Sequence, residues 1–439
     1  MKSEVRLSEV GARKPSWPSS AVVIRWSLFL LGLVTIWSIA LLHRDVTSPY
    51  VTANDMTPDY ISARAWVHDV DPYAPIPVLK SRYLGPSAPY FVDSPADQRN
   101  AHPPIYIVLF TPFALLPIKA ARIVWLVMSA GTIALSVSVF AREIGWSRRA
   151  QLAAAAITIS IPAVRSDLFF GQSNGIALLL LVFAWMALRR DQDRRAGWLL
   201  GVLAALRVFP VLLVIPLLRM RRLRTVVWMA GTTAFLSVAG VLLLGLHSTR
   251  IFLETASPAN TKYWIAQPGN VSLVGLPFRW LTHNRWMAAG ISETAIAVVV
   301  AVVIFASCCI AMYRTPARVS GDVFWAAIPW LLLATPLSWF HYAVMLLPLV
   351  ILLERRTRGE GMLRIFVILA CAGALVARLV ADRLIAAGLD GYSVFVQVAG
   401  YSIAMYGLIG LAALEWSKRL VDSAVAPGPR ALPALTTQV

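Results

Sequence analysis

Asp55 and Asp59, four residues apart in Asn54-Asp55-Met56-Thr57-Pro58-Asp59-Tyr60, are the carboxylates of this chain best placed for acid–base work. They run into Ile61-Ser62-Ala63-Arg64-Ala65-Trp66, which reads as an amphipathic helix on a membrane surface, with Tyr60 and Arg64 available to a polar ligand. A carboxylate held there partly out of water can have its pKa tuned and take a proton from a hydroxyl. The same residues also suit helix capping. The other aspartates of the segment, Asp45, Asp69, Asp71, Asp93 and Asp97, read as solvated loop residues.

Arg207, in Ala205-Leu206-Arg207-Val208-Phe209-Pro210, is the cation that most needs a reason, because the apolar stretch around it carries no other charge. An ion at that depth is costly unless it is paired or faces water, and a basic group at a helix break is well suited to a phosphate; the alternative is snorkelling to the interface. His102, in His102-Pro103-Pro104, reads either as an anchor at a proline-fixed entry to the membrane or as a phosphate contact. Gln172 and Asn174, in Phe170-Gly171-Gln172-Ser173-Asn174, can reach sugar hydroxyls or phosphate, although a polar connector between spans is expected in any case. Asn270, Trp339 and His341 complete the set: Trp339 and Tyr342 suit an interfacial aromatic belt, whereas an imidazole at the depth of His341 needs a hydrogen-bond partner.

The elements that must hold these groups are membrane helices. Of 439 residues 58% are hydrophobic and only 14% charged, too few polar groups to cover a water-soluble protein of this size. The balance of 40 basic against 22 acidic residues would raise nucleic acid binding for a soluble chain, but here the basic residues flank apolar runs as topology signals, so nucleic acid is set aside. The cysteines, Cys308, Cys309 and Cys371, sit inside apolar runs and suit neither a disulfide framework nor a zinc site.

A first span is predicted at 22–43, then spans at 120–142, 150–164, 175–189, 224–245, 291–312, 321–336, 340–354, 362–383 and 395–414. The run at 104–118, interrupted by Pro112 and Pro117, reads as a juxtamembrane helix, and that at 196–218, interrupted by Arg207 and Pro210, as a broken re-entrant pair. That arrangement puts Arg142, Arg148, Arg149, Arg189, Arg190, Arg194 and Arg195 in the cytoplasm and leaves only Lys119, Arg122 and Arg165 of this region outside. The expectation is therefore an all-α polytopic membrane protein of about ten to twelve spans. It has a cytoplasmic segment 1–21, a membrane domain 22–415 with external loops at 44–103 and 246–290, and a disordered cytoplasmic tail 416–439.

Read in order, several segments resemble a known family. They are Asp55-Met56 and Asp71-Pro72-Tyr73, His102-Pro103-Pro104 with Pro112 and Leu116-Pro117, Gly171-Gln172-Ser173-Asn174, Gly201 to Pro210, Gly269-Asn270-Val271-Ser272-Leu273, and Pro336-Leu337-Ser338-Trp339-Phe340-His341-Tyr342. The set is similar to glycosyltransferase family 87, which includes actinobacterial polyprenyl-phosphate-mannose-dependent mannosyltransferases and arabinofuranosyltransferases. The resemblance implies a GT-C membrane fold in a bacterial plasma membrane, with the active site on the extracytoplasmic side. It implies a polyprenyl-phosphate sugar as donor and a glycolipid or lipoglycan as acceptor, with membrane lipids as the other partners. The family's catalytic aspartate maps best onto Asp55, with Asp59 second. Arg207, His341 and His102 would hold the donor phosphate, and Gln172, Asn174, Asn270, Trp339, Tyr60 and Arg64 would contact sugar or acceptor. The family usually has lysine where this chain has Arg207; the charge is kept, and the placement is the open point. Sequence motifs support neither a metal nor a nucleotide cofactor. Two rivals remain at this stage: a flippase or transporter, which would also use a broken helix with a buried cation, and a non-catalytic envelope scaffold.

Overall fold

The computed structural model describes residues 54–88, 97–159, 161–267, 269–282, 294–314, 321–356 and 402–416, with isolated positions elsewhere. The spans predicted at 22–43 (isolated positions apart) and 362–383, the first part of that at 395–414, and the terminal segments 1–21 and beyond 416 lie outside the described residues.

The described chain is all helical. Helices α1 (Met56–Val67) and α2 (Ile76–Leu84) fill the first polar segment, followed by α3 (Pro104–Ala114), α4 (Ile118–Glu143), α5 (Arg148–Ile159), α6 (Pro162–Phe170), α7 (Asn174–Arg189) and α8 (Asp193–Arg207). A tight turn at Phe209–Leu213 leads to α9 (Val214–Arg219), then α10 (Leu223–Ile251), α11 (Ser257–Trp264), α12 (Leu276–Leu281) and α13 (Thr294–Arg314). Two further 3-10 turns, Gly321–Ala327 and Phe340–Leu346, open α14 (Ile328–Ala334) and α15 (Leu347–Arg356), and Ser402–Trp416 forms α16. Among the described residues the isolated bridge between Asn270 and Trp339 is the only β pairing.

Among the described residues three helices are long and apolar enough to cross a membrane: Ile118–Glu143, Leu223–Trp264 and Ala295–Arg314. Phe235, Leu242 and Leu246 on α10 are 71%, 78% and 78% exposed, a face that suits lipid and not water. The protein is a multi-pass membrane protein.

The structure corrects several element boundaries. The span predicted at 150–164 is a bent pair, α5 and α6, turned by 61°. Pro162 at the head of α6 accounts for the bend, because Ile161 before it is forced extended (φ −68°, ψ 128°). The loop predicted from 246 is helical as far as Trp264. The predicted boundary survives as a kink at Gly245 (φ 86°, ψ 159°), followed by a wider helical turn at Phe252–Ala256. The runs at 321–336 and 340–354 each begin with a 3-10 turn. Helix α1 is not an amphipathic surface helix: Met56, Thr57, Asp59, Tyr60, Ile61, Ser62, Ala63 and Ala65 are all buried, because α1 packs along α3.

Two apolar cores result. One joins Phe140, Trp185 and Trp325 with residues of α7, α8 and α14, and the other joins Met56, Tyr60, Tyr106, Phe110 and Trp125 around α1 and α3. Helix α8 lies tightly on α10 through Gly197 and Gly201, where an added Cβ would come within 2.5 Å of the Thr225 carbonyl and 2.7 Å of the Met229 carbonyl. At the end of α8, Leu206 packs against the second core, while Phe209 and Tyr342 pack against the first. Arg207 therefore sits at the seam between them.

Candidate active site

The seam is built on the corner between α6 and α7. Gly171 ends α6 in the left-handed region (φ 69°), and the Gln172 and Gly171 amides return to the carbonyls of Asp167 (3.0 Å) and Leu168 (3.3 Å), a Schellman closure. The remaining carbonyls of the corner are met from elsewhere in the chain. Arg122 Nη2 donates to Leu168 O (2.7 Å) and Phe169 O (2.5 Å), Trp125 Nε1 donates to Gly171 O (2.8 Å), and the Asp55 amide donates to Phe170 O (2.9 Å). The last of these bonds docks the start of α1 directly on the corner. Glycine is required twice over at 171, since a Cβ there would also run into Arg122 Nη1 and lie 2.9 Å from Met56 Cβ.

The corner presents Gln172, Ser173 and Asn174 to Arg207. The guanidinium donates from Nη2 to Gln172 Oε1 (3.0 Å) and Ser173 Oγ (3.0 Å), from Nε to Ser173 Oγ (3.1 Å), and from Nη1 to Asn174 Oδ1 (2.8 Å). Its Cζ lies 5.2 Å from the centre of the Tyr342 ring. These partners are all neutral, so Arg207 is a cation only 8% exposed with no carboxylate bonded to it among the described residues. Immediately after it the helix breaks at Val208 (φ 42°, ψ −56°), a backbone state that a β-branched residue holds only under constraint from its surroundings.

Asp55 stands one amide away. Gln172 Nε2 donates to Asp55 Oδ2 (2.5 Å) while Gln172 Oε1 accepts from Arg207 (3.0 Å). Asp55 occupies the N-cap position of α1 but its side chain makes no capping bond: the Thr57 amide goes to Asn54 O (3.2 Å) and Pro58 has no amide hydrogen. Burial pushes the Asp55 carboxyl up to about 6; the Gln172 bond opposes that rise, nearby Asp59 adds to it, and His102 and Arg207 oppose it.

Asp59 belongs to a neighbouring pair. Its Oδ1 meets His102 Nδ1 (2.7 Å) and accepts from Asn100 Nδ2 (3.0 Å), and the imidazole stacks on Tyr106 (4.1 Å between centroids). His102 is thus held by Asp59 and not by Arg207.

Other predicted site residues turn out to have structural work. Asn270, expected at a sugar, is fully buried, and its amide is occupied by backbone on every side: Nδ2 donates to Ile265 O (3.0 Å) and Pro336 O (2.8 Å), and Oδ1 accepts from the Ser272 (3.1 Å) and Ser338 (2.9 Å) amides. Tyr60 and Arg64 face the end of α3, where Tyr60 Oη donates to Leu116 O (2.8 Å) and Arg64 Nη1 to Ala114 O (2.9 Å), satisfying terminal carbonyls. Trp339 packs edge-on against Trp264. His341 is buried, with its ring 5.8 Å from that of Phe170. Tyr342, read as an interfacial belt residue, instead stacks on Phe209 (5.7 Å) beneath Arg207.

Three residues escaped the sequence reading. Asp167 is fully buried and accepts from Asn174 Nδ2 (2.6 Å), Arg122 caps the corner, and Asn100 braces Asp59. Asp167, beside Arg165 and Ser166, reads in sequence as a connector residue, and only the folded corner brings it together with Arg122.

The model of glycosyltransferase family 87 matches residues 100–336, more than half of the chain. The chain belongs to glycosyltransferase family 87. The match includes His102, Gln172, Asn174, Arg207 and Asn270, whereas Asp55, Asp59, Trp339 and His341 lie outside it. The family 87 chain is 26% identical over 276 residues to a Mycolicibacterium smegmatis protein named polyprenol-phosphate-mannose-dependent alpha-(1-2)-phosphatidylinositol mannoside mannosyltransferase, covering 57% of this chain and 60% of that protein. It is 29% identical over 258 residues, 57% of each chain, to a Mycobacterium tuberculosis protein named polyprenol-phosphate-mannose-dependent alpha-(1-2)-phosphatidylinositol pentamannoside mannosyltransferase. The chain thus spans under two thirds of the length of these curated relatives. No solved structure matches it.

Proposed function

We propose that this protein transfers a mannosyl group from polyprenyl-phosphate-mannose to a glycolipid acceptor of the phosphatidylinositol mannoside class, at the extracytoplasmic face of a bacterial plasma membrane. The observation that supports the reading is the bridge from the Asp55 carboxylate through Gln172 to Arg207, which brings a carboxylate and a cation to one small site. The relatives' names supply the sugar and the lipid classes.

In this reading Arg207, a buried cation with neutral partners, takes the donor phosphate as its counter-charge. An acceptor hydroxyl attacks the anomeric carbon from the face opposite the phosphate, and its proton passes to Asp55. The bond from the anomeric carbon to the phosphate oxygen breaks, the polyprenyl phosphate leaves with the bonding pair, and Arg207 stabilises the charge it gains. The outcome is inversion. His341, whose ring lies 5.8 Å from that of Phe170 at the same corner, also serves the phosphate. A donor dissolved in the bilayer suits a site sunk between membrane helices.

The test is transfer by the full-length chain in lipid nanodiscs, with polyprenyl-phosphate-mannose and polyprenyl-phosphate-arabinose offered separately against phosphatidylinositol mannosides and an envelope lipid extract, and products read by mass spectrometry. A mannosylated product lost in Asp55→Asn is expected. Arabinosyl product alone would change the sugar, and flux of the donor across sealed vesicles without product would favour a flippase.

A further inference from the structure

We propose that Asp167 is a positioning residue for the donor phosphate: its carboxylate fixes the direction of the Asn174 amide and, through that amide, the seat of the Arg207 guanidinium. The inference rests on the assignment of Arg207 to the donor phosphate.

The argument begins with the two ends of an amide. Asn174 donates from Nδ2 to Asp167 Oδ1 (2.6 Å) and accepts at Oδ1 from Arg207 Nη1 (2.8 Å). With an acid on one side and a cation on the other, a single orientation satisfies both, because turning the amide over would set N–H against guanidinium and carbonyl against carboxylate. Gln172 obeys the same rule on the opposite side, with Asp55 as its acid. Arg207 is therefore clamped between two amides, each oriented by a carboxylate.

The two carboxylates are not equivalent. Asp55 is partly exposed at the start of α1. Asp167 is fully enclosed, as is Asn174, and among the described residues its Oδ2 has no hydrogen-bond partner. The charged groups facing Asp167 are Arg207, Arg122 and Asp55. A sealed carboxylate whose one engaged oxygen holds an amide cannot exchange protons with substrate during turnover, but it can hold that amide. The Schellman corner supplies the geometry, since Asp167 lies in the last turn of α6 and Asn174 in the first turn of α7, with Gly171 folding one back on the other.

The experiment uses the full-length chain in nanodiscs, with polyprenyl phosphate as the binding probe and mannosyl transfer as the kinetic readout. Asp167→Ala is expected to raise the donor KM and the polyprenyl phosphate Kd by about ten- to a hundredfold while leaving the acceptor KM in place. Asp167→Asn, which keeps an acceptor oxygen, is expected to recover most of that loss and to retain the wild-type acid limb of the pH profile. Asn174→Ala is expected to match Asp167→Ala, and the double variant to add nothing to either. Unchanged donor KM in Asp167→Ala, additive effects in the double variant, or disappearance of the acid limb in Asp167→Asn would each overturn the proposal. Should Asp167→Ala fail to fold, Asp167→Asn and Asn174→Ala carry the test alone. A wild-type chain that binds no polyprenyl phosphate overturns the assignment of Arg207 itself, an outcome distinct from wild-type binding that Asp167→Ala leaves untouched.

Discussion

Asp55 and Arg207 are separated by a single amide: Gln172 gives one end to the carboxylate at 2.5 Å and the other to the guanidinium at 3.0 Å. The spacing keeps the two charges from collapsing into a direct ion pair, which would neutralise the proposed base and fill the proposed anion site at once. It also ties the reactivity of one to the position of the other, and the predictions below follow from that tie.

The Asp55 carboxyl, raised by burial to about 6 from its ordinary 3.8, must be ionised to accept a proton. Transfer is therefore expected to be full at pH 7.5 and to fall about tenfold per pH unit below about 6. Stability runs the other way. A carboxyl with a raised folded-state pKa favours folding when protonated, so its contribution is present below 3.8 and is lost as pH rises through about 6. Asp55→Asn, neutral at every pH, is expected to melt a few degrees above wild type at pH 7.5 and level with it below 3.8, while losing transfer. Thermal unfolding followed by tryptophan fluorescence at the two pH values checks both signs.

Changing the amide tests the bridge. Gln172→Glu would set a second carboxylate against Asp55 and give Arg207 an internal counter-ion. The acid limb is expected to move to higher pH and the donor KM to rise by about tenfold or more, a larger injury than Gln172→Ala, which removes the bridge without adding charge. Equal damage from the two substitutions would mean that charge at this position is irrelevant.

Arg207 has four hydrogen bonds in a fork that an ammonium cannot reproduce. Arg207→Lys is expected to keep donor binding with KM raised about tenfold, and Arg207→Ala to abolish it. Titration with polyprenyl phosphate separates the two. Unimpaired binding in Arg207→Ala would move the phosphate elsewhere.

What was legible in the sequence depended on whether a residue's environment could be read locally. Arg207 stood out because it interrupts an apolar stretch before Pro210, and the helix does break there, at Val208. Gln172 and Asn174 stood out as amides between apolar spans, and both reach Arg207. Asn270 carried the same signal and was misread, because sequence shows the amide but not that four backbone groups occupy it. Asp167 was invisible for the converse reason: next to Arg165 and Ser166 it looks like a connector residue, and only the left-handed turn at Gly171 folds it against Asn174. Burial of α1 on nearly every side is likewise a property of the packing of α3, not of the pattern of α1.

That turn can be tested with a matched control. Gly171→Ala forces a side chain into the left-handed region and into Arg122 and Met56, so it is expected to lose both stability and transfer. Gly145, also left-handed (φ 84°) but with nothing within 4 Å of an added Cβ, carries the backbone cost alone. Gly145→Ala is expected to lose about 1 kcal/mol and keep its activity. Melting temperature and transfer rate measured on the pair distinguish a strained turn from a crowded site.

Asp59 is the remaining rival for the base, and its neighbours argue against it. Its Oδ1 is committed to His102 Nδ1 at 2.7 Å and to Asn100 Nδ2 at 3.0 Å, an arrangement that anchors the entry to α3. Asp59→Asn keeps an acceptor for Asn100 and loses only the charge beside His102, so it is expected to reduce kcat by about tenfold or less. Asp55→Asn, which keeps every neighbour of Asp55 but removes its basicity, is expected to reduce kcat to background. Single-turnover rates at saturating donor decide between them, because the residue that takes the proton must show the larger loss in the chemical step and not in KM.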